Sequence, residues 1–237
     1  FTEPFRRIDL SSDESGAIAT LMVDEGDQIQ KDDVVCNLDT SVQEIQVEIA
    51  KHMAESKSSV VAAEETYEKR QAIDKRITEL QQNGHATDSE KIRSDMELSI
   101  AKARYLSAVE DFKVREIEYR RALMQLERRT IRAPFSGTVS KIHKRVGEFL
   151  SPVHPEIITL IQTDQLIAKF NVLSAQVANF EVGKKFQLHM INGKTVEATV
   201  YRIGVLTEAQ SGTIEVKMLI ENKNGEIRAG EFLTLEI

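Results

Sequence analysis

The chain has 237 residues and a mass of 26.7 kDa, enough for one or two domains. A net charge of -7, an aromatic share of 5% and no tryptophan exclude the basic face and stacking platforms that nucleic-acid binding needs. Cys36 is the only cysteine, so no intrachain disulfide forms, and no apolar run approaches the ~18 residues of a membrane span.

Glycine and proline are unevenly spread. Residues 40–129 hold one glycine, Gly84, and no proline, where average usage gives roughly 11 of the two over such a length. The chain opens on Phe1 without a signal-peptide pattern, which reads as a processed or truncated piece with any export signal or anchor upstream.

In chain order, residues 1–8 read as an edge strand. Gly16 to Ile29 reads as strand, turn and strand: Gly26 stands ten positions after Gly16 and is followed by the acid Asp27. Val34 to Leu38 is a short apolar strand ending at Asp39.

From residue 40 the period changes from two to 3.6. Val42, Ile45, Ile49, Met53, Val60, Ala63, Tyr67, Ile73, Ile77 and Leu80 predict one helix over 40–82. Thr40 with Gln43, or Ser41 with Glu44, has capping-box spacing. Ile92, Met96, Ile100, Ala103, Leu106, Val109, Phe112, Tyr119, Leu123 and Leu126 predict a second helix. Asn83-Gly84 ends the first and Thr87 with Glu90 starts the second. Glu65–Lys69, Asp111–Arg115 and Glu116–Arg120 have the i,i+4 orientation that supports a helix.

A connection of about four residues forces the two helices into an antiparallel hairpin, and ~42 residues at ~1.5 Å each give an arm of about 63 Å. The stripes are narrow and interrupted at Ser56, Ser59 and Arg70, which suits a two-stranded coiled coil. With 16 Lys and Arg against 17 Asp and Glu, the arm is near neutral and most of its surface is a solvated face.

After the arm the first flank repeats. Gly137 and Gly147 stand ten apart, Glu148 follows as the acid, and Ile157 to Ile161 precedes Asp164. Ile18 matches Val139, Leu21 matches Ile142 and Ile29 matches Leu150, all at an offset of 121. Two such halves make a small β-sandwich with the arm inserted between them. The tail, 163–237, alternates with period two, and Gly183, Asn192-Gly193, Gly212, Asn224-Gly225 and Gly230 supply its turns. An antiparallel barrel of about six strands, with residues 1–8 at its edge, fits this pattern.

The pattern resembles the split biotinyl/lipoyl-like motif of periplasmic adaptor (membrane fusion) proteins, of the HlyD and RND adaptor family. Arg132-Ala133-Pro134-Phe135-Ser136-Gly137 matches that family's entry to the second half-motif, and Ser211-Gly212-Thr213 and Ala229-Gly230-Glu231 are similar to two of its barrel turns. Ser, Ala and Glu depart from the family's Thr, Pro and Met at those turns. Carrier lipoyl domains present a lysine where this chain has its insertion after Leu38-Asp39, so no swinging-arm role and no cofactor are expected.

The fold class implied is mixed α and β, elongated and multi-domain. A long coiled-coil hairpin (40–129) is inserted in a lipoyl-like β-sandwich (9–39 and 130–162), beside an antiparallel β-barrel (1–8 and 163–237). Gly16, Gly26, Gly84, Pro134, Gly137 and Gly147 are the fold-defining turn residues.

In adaptors that dock to TolC-like outer-membrane channels, the hairpin tip carries Arg, three residues, Leu, six residues and Ser. Arg76, Leu80 and Thr87 meet that spacing, with Thr for Ser. The resemblance implies an inner-membrane transporter of the RND type, or alternatively an ABC-type exporter. It also implies a TolC-like channel, self-association as a trimer of dimers or hexamer, and a periplasmic location anchored to the inner membrane outside this chain.

Against an enzyme, the five histidines are dispersed, HExxH, CxxC, GxSxG and GxGxxG are absent, and no metal site is expected. A lipoyl or biotinyl carrier and a plain coiled-coil scaffold are the rival readings. The sequence does not name the transported substrate.

Overall fold

The structure, a computed structural model, describes residues 1–191 and 193–235. The chain forms two compact units: residues 40–129, and the residues on either side of them.

In the flanking unit, β2 (Gly16–Leu21), β3 (Gln28–Ile29) and β4 (Val34–Leu38) recur at the same 121-residue offset as β6 (Gly137–Ile142), β7 (Phe149–Leu150) and the start of β8 (Glu156–Leu173). The halves exchange strands symmetrically. Gly16 of β2 lies opposite Leu150 of β7, and Ile29 of β3 lies opposite Gly137 of β6, both antiparallel. β4 pairs with β2 and β8 with β6, while β5 (Thr130–Arg132) covers the other edge of β4. Ile18, Ile29, Val35, Leu38, Val139, Leu150, Ile157 and Leu160 share one core, to which β4 and the start of β8 give consecutive buried residues. Burying each such side chain contributes about 1.5–3 kcal/mol.

The recurring pair of glycine and acid has a local cause. Gly26 and Gly147 adopt φ of 96° and 87°, which only glycine reaches without strain. The acid that follows each then accepts from the backbone three residues earlier: Asp24 N–H donates to Asp27 Oδ2 and Arg145 N–H to Glu148 Oε2, both at 2.7 Å. Gly137 is needed for close approach, since a Cβ there would lie 2.4 Å from the Ile161 carbonyl oxygen. Before it, Ala133 is buried and its N–H donates to Asp33 O, while exposed Pro134 turns the chain into β6.

β8 runs for 18 residues through two cores. Ile157, Ile158 and Leu160 belong to the sandwich, and Leu166, Ala168 and Val172 to a second core with Leu188, Ala198, Val200, Val216, Met218 and Ile220. Around the second core the order is β8, β11 (Thr213–Glu221), β10 (Thr195–Glu208), β9 (Lys185–Met190) and β12 (Leu233–Leu235), all antiparallel. The N-terminal strand extends further than expected. β1 spans Thr2–Ser11 and lies along both parts of β8, with Thr2 opposite Ala168 and Leu10 opposite Ile158. Thr2 N–H donates to Glu231 O and Gly230 N–H to Thr2 O, each at 2.8 Å, which ties β1 to the turn before β12. Asn192 of the expected Asn192-Gly193 turn, and residues 236–237 of the last expected strand, lie outside the described residues.

The other unit is a helical hairpin of α1 (Ser41–Glu55), α2 (Ser58–Gln82) and α3 (Asp88–Glu127). The single helix expected over 40–82 is two. The backbone leaves helical geometry at Ser56 (φ −77°, ψ 101°), where the hydroxyls of Ser56 and Ser58 bond each other at 3.3 Å. Serine hydroxyls offer local alternatives to the helix ladder, and two of them meet here. Opposite the break, Lys57 Nζ sits 5.5 Å from the Phe112 ring centroid. Thr40 is the N-cap of α1 but its side chain accepts no capping bond; its hydroxyl donates to Glu44 Oε1 instead, at 2.7 Å. Glu65–Lys69 closes at 3.6 Å, while Asp111–Arg115 and Glu116–Arg120 do not reach ion-pair distance among the described residues.

The seam of the hairpin follows the predicted stripe at Val60, Ala63, Tyr67, Ile77, Phe112, Tyr119 and Leu126, and departs from it along α1 and the first half of α3. In α1 the half-buried residues are Gln43, Val47, Ala50 and Ala54, whereas Val42, Ile45, Ile49 and Met53 are each more than half exposed. In α2 the seam follows Val60, Ala63, Tyr67, Asp74 and Ile77. In α3 it follows Lys91, Ser94, Leu98, Ala101, Tyr105, Ala108, Phe112, Tyr119, Ala122 and Leu126. Tyr67 and Tyr105 stack across it with centroids 5.9 Å apart. Ile73, Ile92, Met96, Ile100 and Leu106 face outward. Small residues at the seam let the helix backbones approach, and the bulky ones beside them stay outside.

Candidate functional site at the hairpin tip

The tip is built from the end of α2 and the start of α3. Asn83 caps α2 with its side chain, Nδ2 donating to Glu79 O at 2.9 Å. Gly84 then takes φ 77°, so that Gly84 N–H donates to Gln81 O at 2.9 Å and His85 N–H to Leu80 O at 2.8 Å. These two bonds form a Schellman closure that satisfies the last carbonyls of the helix. On the far side Thr87 and Glu90 make a complete capping box: Glu90 N–H donates to Thr87 Oγ1 at 3.3 Å and Thr87 N–H to Glu90 Oε2 at 2.8 Å. The backbone N–H of Thr87 holds the Glu90 carboxyl below its ordinary range.

Two of the three expected site residues are free to meet a partner. Arg76 is exposed and has no ion-pair partner among the described residues. Leu80 is 36% exposed and lies beside the seam; Ile77 and Gln81 are the last seam residues of α2. Thr87 is different. Its hydroxyl donates to Glu90 Oε2 at 2.9 Å, so its proton is committed to the cap.

Below the tip lies a polar layer that pattern reading missed. Lys91 Nζ on α3 donates to Asp74 Oδ1 on α2 at 2.9 Å and to Asp95 Oδ1 at 2.7 Å, and Arg70 reaches Glu97 at 2.6 Å. The side chains of Asp74 and Lys91 are only 15% and 19% exposed. The hydrogen bond from Lys91 holds the Asp74 carboxyl below its ordinary value, and the two carboxylates hold the Lys91 ammonium above its own. The signal was present: Asp74 and Lys91 fall in step with the seam, but a search for apolar periodicity passes over charged residues.

Among the described residues no group of three or more His, Cys, Asp or Glu side chains is placed to hold a metal. His143 is engaged within the sandwich, its Nε2 2.8 Å from Thr159 Oγ1, which donates to Asp9 at 2.6 Å. No helix among the described residues is long and apolar enough to cross a membrane.

A two-half β-sandwich split by a helical hairpin and continued into an antiparallel sheet is the architecture of the membrane fusion proteins. The family model described as "RND MFP, barrel-sandwich hybrid domain" matches residues 6–162, and the chain belongs to that family. An uncharacterized protein of Haemophilus influenzae is 24% identical over 231 residues, covering 96% of this chain and 53% of its own length. The multidrug resistance protein MdtN of Escherichia coli K12 is 35% identical over 83 residues, 34% of this chain and 24% of its own length. The crystal structure of MacA from Actinobacillus actinomycetemcomitans superposes with a TM-score of 0.85 at 21% identity, over 98% of this chain and 74% of that one. The chain thus spans about half the length of the Haemophilus relative, and its likeness to MacA is one of fold.

Proposed function

We propose that this chain is the core of a periplasmic adaptor that links an inner-membrane transporter of the RND type to a TolC-like outer-membrane channel, for efflux of small molecules. Membership of the RND membrane fusion family supports the transporter class, and the name of MdtN supports efflux. In this reading, 9–39 with 130–162 is the lipoyl-like sandwich, 40–129 a coiled-coil hairpin, and 1–8 with 163–237 a closed β-barrel. The backbone bonds of Thr2 to Gly230 and Glu231 support that closure. No cofactor and no catalytic step belong to it.

One observation carries the docking part. Arg76 and Leu80 stand exposed one helical turn apart, beside a turn held by the Schellman bonds and the capping box. A guanidinium offers five donors to carbonyls on a channel rim, and the leucine adds apolar contact. Thr87 serves by shaping the tip. Arg76→Asp in the full-length adaptor is expected to abolish export and cross-linking to the channel while helicity by circular dichroism is unchanged. Wild-type export in that variant would remove the docking claim. Capture of an ABC exporter in place of an RND transporter would move the adaptor to the alternative class.

A further inference from the structure

A coiled-coil seam advances by alternating steps of three and four residues, so positions two steps apart differ by seven. α3 keeps this rhythm from Lys91 to Leu126 without interruption, once half-buried Arg115 is placed between Phe112 and Tyr119. The ascending strand does not. Gln43, Val47, Ala50 and Ala54 keep it in α1, and Val60, Ala63 and Tyr67 keep it in α2, but Ala54 and Val60 are six apart. The count is one residue short, and one residue turns a helix by about 100°. The break at Ser56 and Lys57 stands where the phase is lost. Residues 41–82 hold no proline or glycine, the usual causes of such a break.

Continued back across the break, the α2 phase falls on residues 42, 46, 49, 53 and 56. Three of these are Val42, Ile49 and Met53, which stand 59%, 51% and 53% exposed. So α1 carries two seams side by side: a small one in use, and a larger one that faces water and is in step with α2. We infer that α1 is a rotary switch with two registers. In the register seen in the structure, Ala50 and Ala54 lie at the seam and the helix is broken at Ser56. In the other, α1 is turned by about 100°, Val42, Ile49 and Met53 meet α3, and α1 and α2 run on as one helix. The two differ in spacing. Ala54 lines a shallow groove with Tyr119, and Lys57 reaches the Phe112 ring, so α3 is bulky at this level. Small side chains against large ones let the helices approach closely, and large against large hold them further apart. Close packing favours the first register and burial of the exposed stripe favours the second. Packed seams of different spacing are discrete states. On the adaptor reading, which this deepens, the first register puts a joint in the arm one 15-residue helix, about 22 Å, from its base, and the second stiffens the ascending strand to one rod.

Amide hydrogen exchange at the break, followed by mass spectrometry of the whole chain, reads the register. The N–H groups of Ser58, Ser59 and Val60 precede the first helical bond of α2, from Val61 N–H to Lys57 O, and gain helical acceptors only in the continuous form. Ala50→Glu with Ala54→Lys puts charges into the small seam, and these pair at i,i+4 once turned outward. This variant is expected to slow the exchange about tenfold while helicity by circular dichroism is kept. Adding Ile49→Gln and Met53→Gln removes the second seam and should return the exchange to the native rate or faster. Ser56→Ala with Ser58→Ala should leave it unchanged, because the phase and not the hydroxyls breaks the helix. Unchanged or faster exchange in the first variant, slow exchange kept in the second, or slowing by the serine substitutions would each overturn the switch. The slowing should be the same at a tenfold lower protein concentration. A dependence on concentration would mean that a second molecule covers the stripe, and would overturn it too. Arg76→Asp should leave the exchange unchanged, and the measurement needs no partner, so failure of the tip reading and failure of this switch are read separately.

Discussion

At Gly137 the backbone of β6 passes so close to β8 that a single methyl group has no room. The obstacle is the Ile161 carbonyl carbon and oxygen, with the Leu160 side chain behind them, and backbone cannot swing aside as the end of a lysine would. Gly137→Ala is therefore expected to destabilise the sandwich by about 1–3 kcal/mol, the cost of forced overpacking. A urea midpoint measured on the whole chain checks it. Unchanged stability would mean that β6 and β8 are further apart than described. This residue was legible in the sequence as one of a repeated pair with Gly16, yet its reason was not. The repeat shows that a glycine is wanted, and only the pairing of β6 with β8 shows what it must avoid.

Among the elements, the hairpin separates what composition reveals from what it hides. The long block without glycine or proline, the antiparallel turn at Gly84 and the capping box at Thr87 were all legible, because each depends on neighbours in sequence. The inner face was legible in part: Val60, Tyr67, Ile77, Phe112 and Leu126 lie on it as the spacing implied, but on α1 the spacing selected Ile45, Ile49 and Met53 and the structure covers Val47, Ala50 and Ala54 instead. The half-buried charges at the seam were missed because a search for apolar residues passes over them, and they have a testable pH dependence. Asp74 has a folded pKa below its ordinary 3.8, so its contribution is fully present above that value and is lost as pH falls through the lowered one. Lys91 has the opposite sign: its contribution is present below its ordinary 10.5 and is lost as pH rises through its raised value. Asp74→Asn is expected to flatten the acid limb of hairpin stability, followed by thermal melts of helicity between pH 2 and 7. Glu90 contributes in the same direction at the cap, so the comparison is one of slopes, and equal slopes would refute the role given to Asp74.

For the molecule as a whole, the flanking unit is held by the long antiparallel pair of β1 with β8, which serves both cores. Removing residues 1–8 is expected to lower the stability of the sandwich and of the sheet around the second core together, as one transition at a lower denaturant concentration. A chain in which only the sandwich or only the second core is weakened would show that the two are not coupled through these strands. The expectation of an edge strand confined to residues 1–8 was too short. Asp9, Leu10 and Ser11 carry the ladder onto Thr159, Ile158 and Glu156, a pairing between residues up to 150 apart that local pattern does not reveal.

The same ladder has a mechanical meaning. Strands drawn along their length load every rung of an antiparallel pair at once, whereas strands peeled apart lose their rungs one at a time. Thr2–Ser11 runs lengthwise beside β8 through both cores. Tension applied from the N-terminus along this direction is therefore resisted in shear, and the cores share the load before either strand slips.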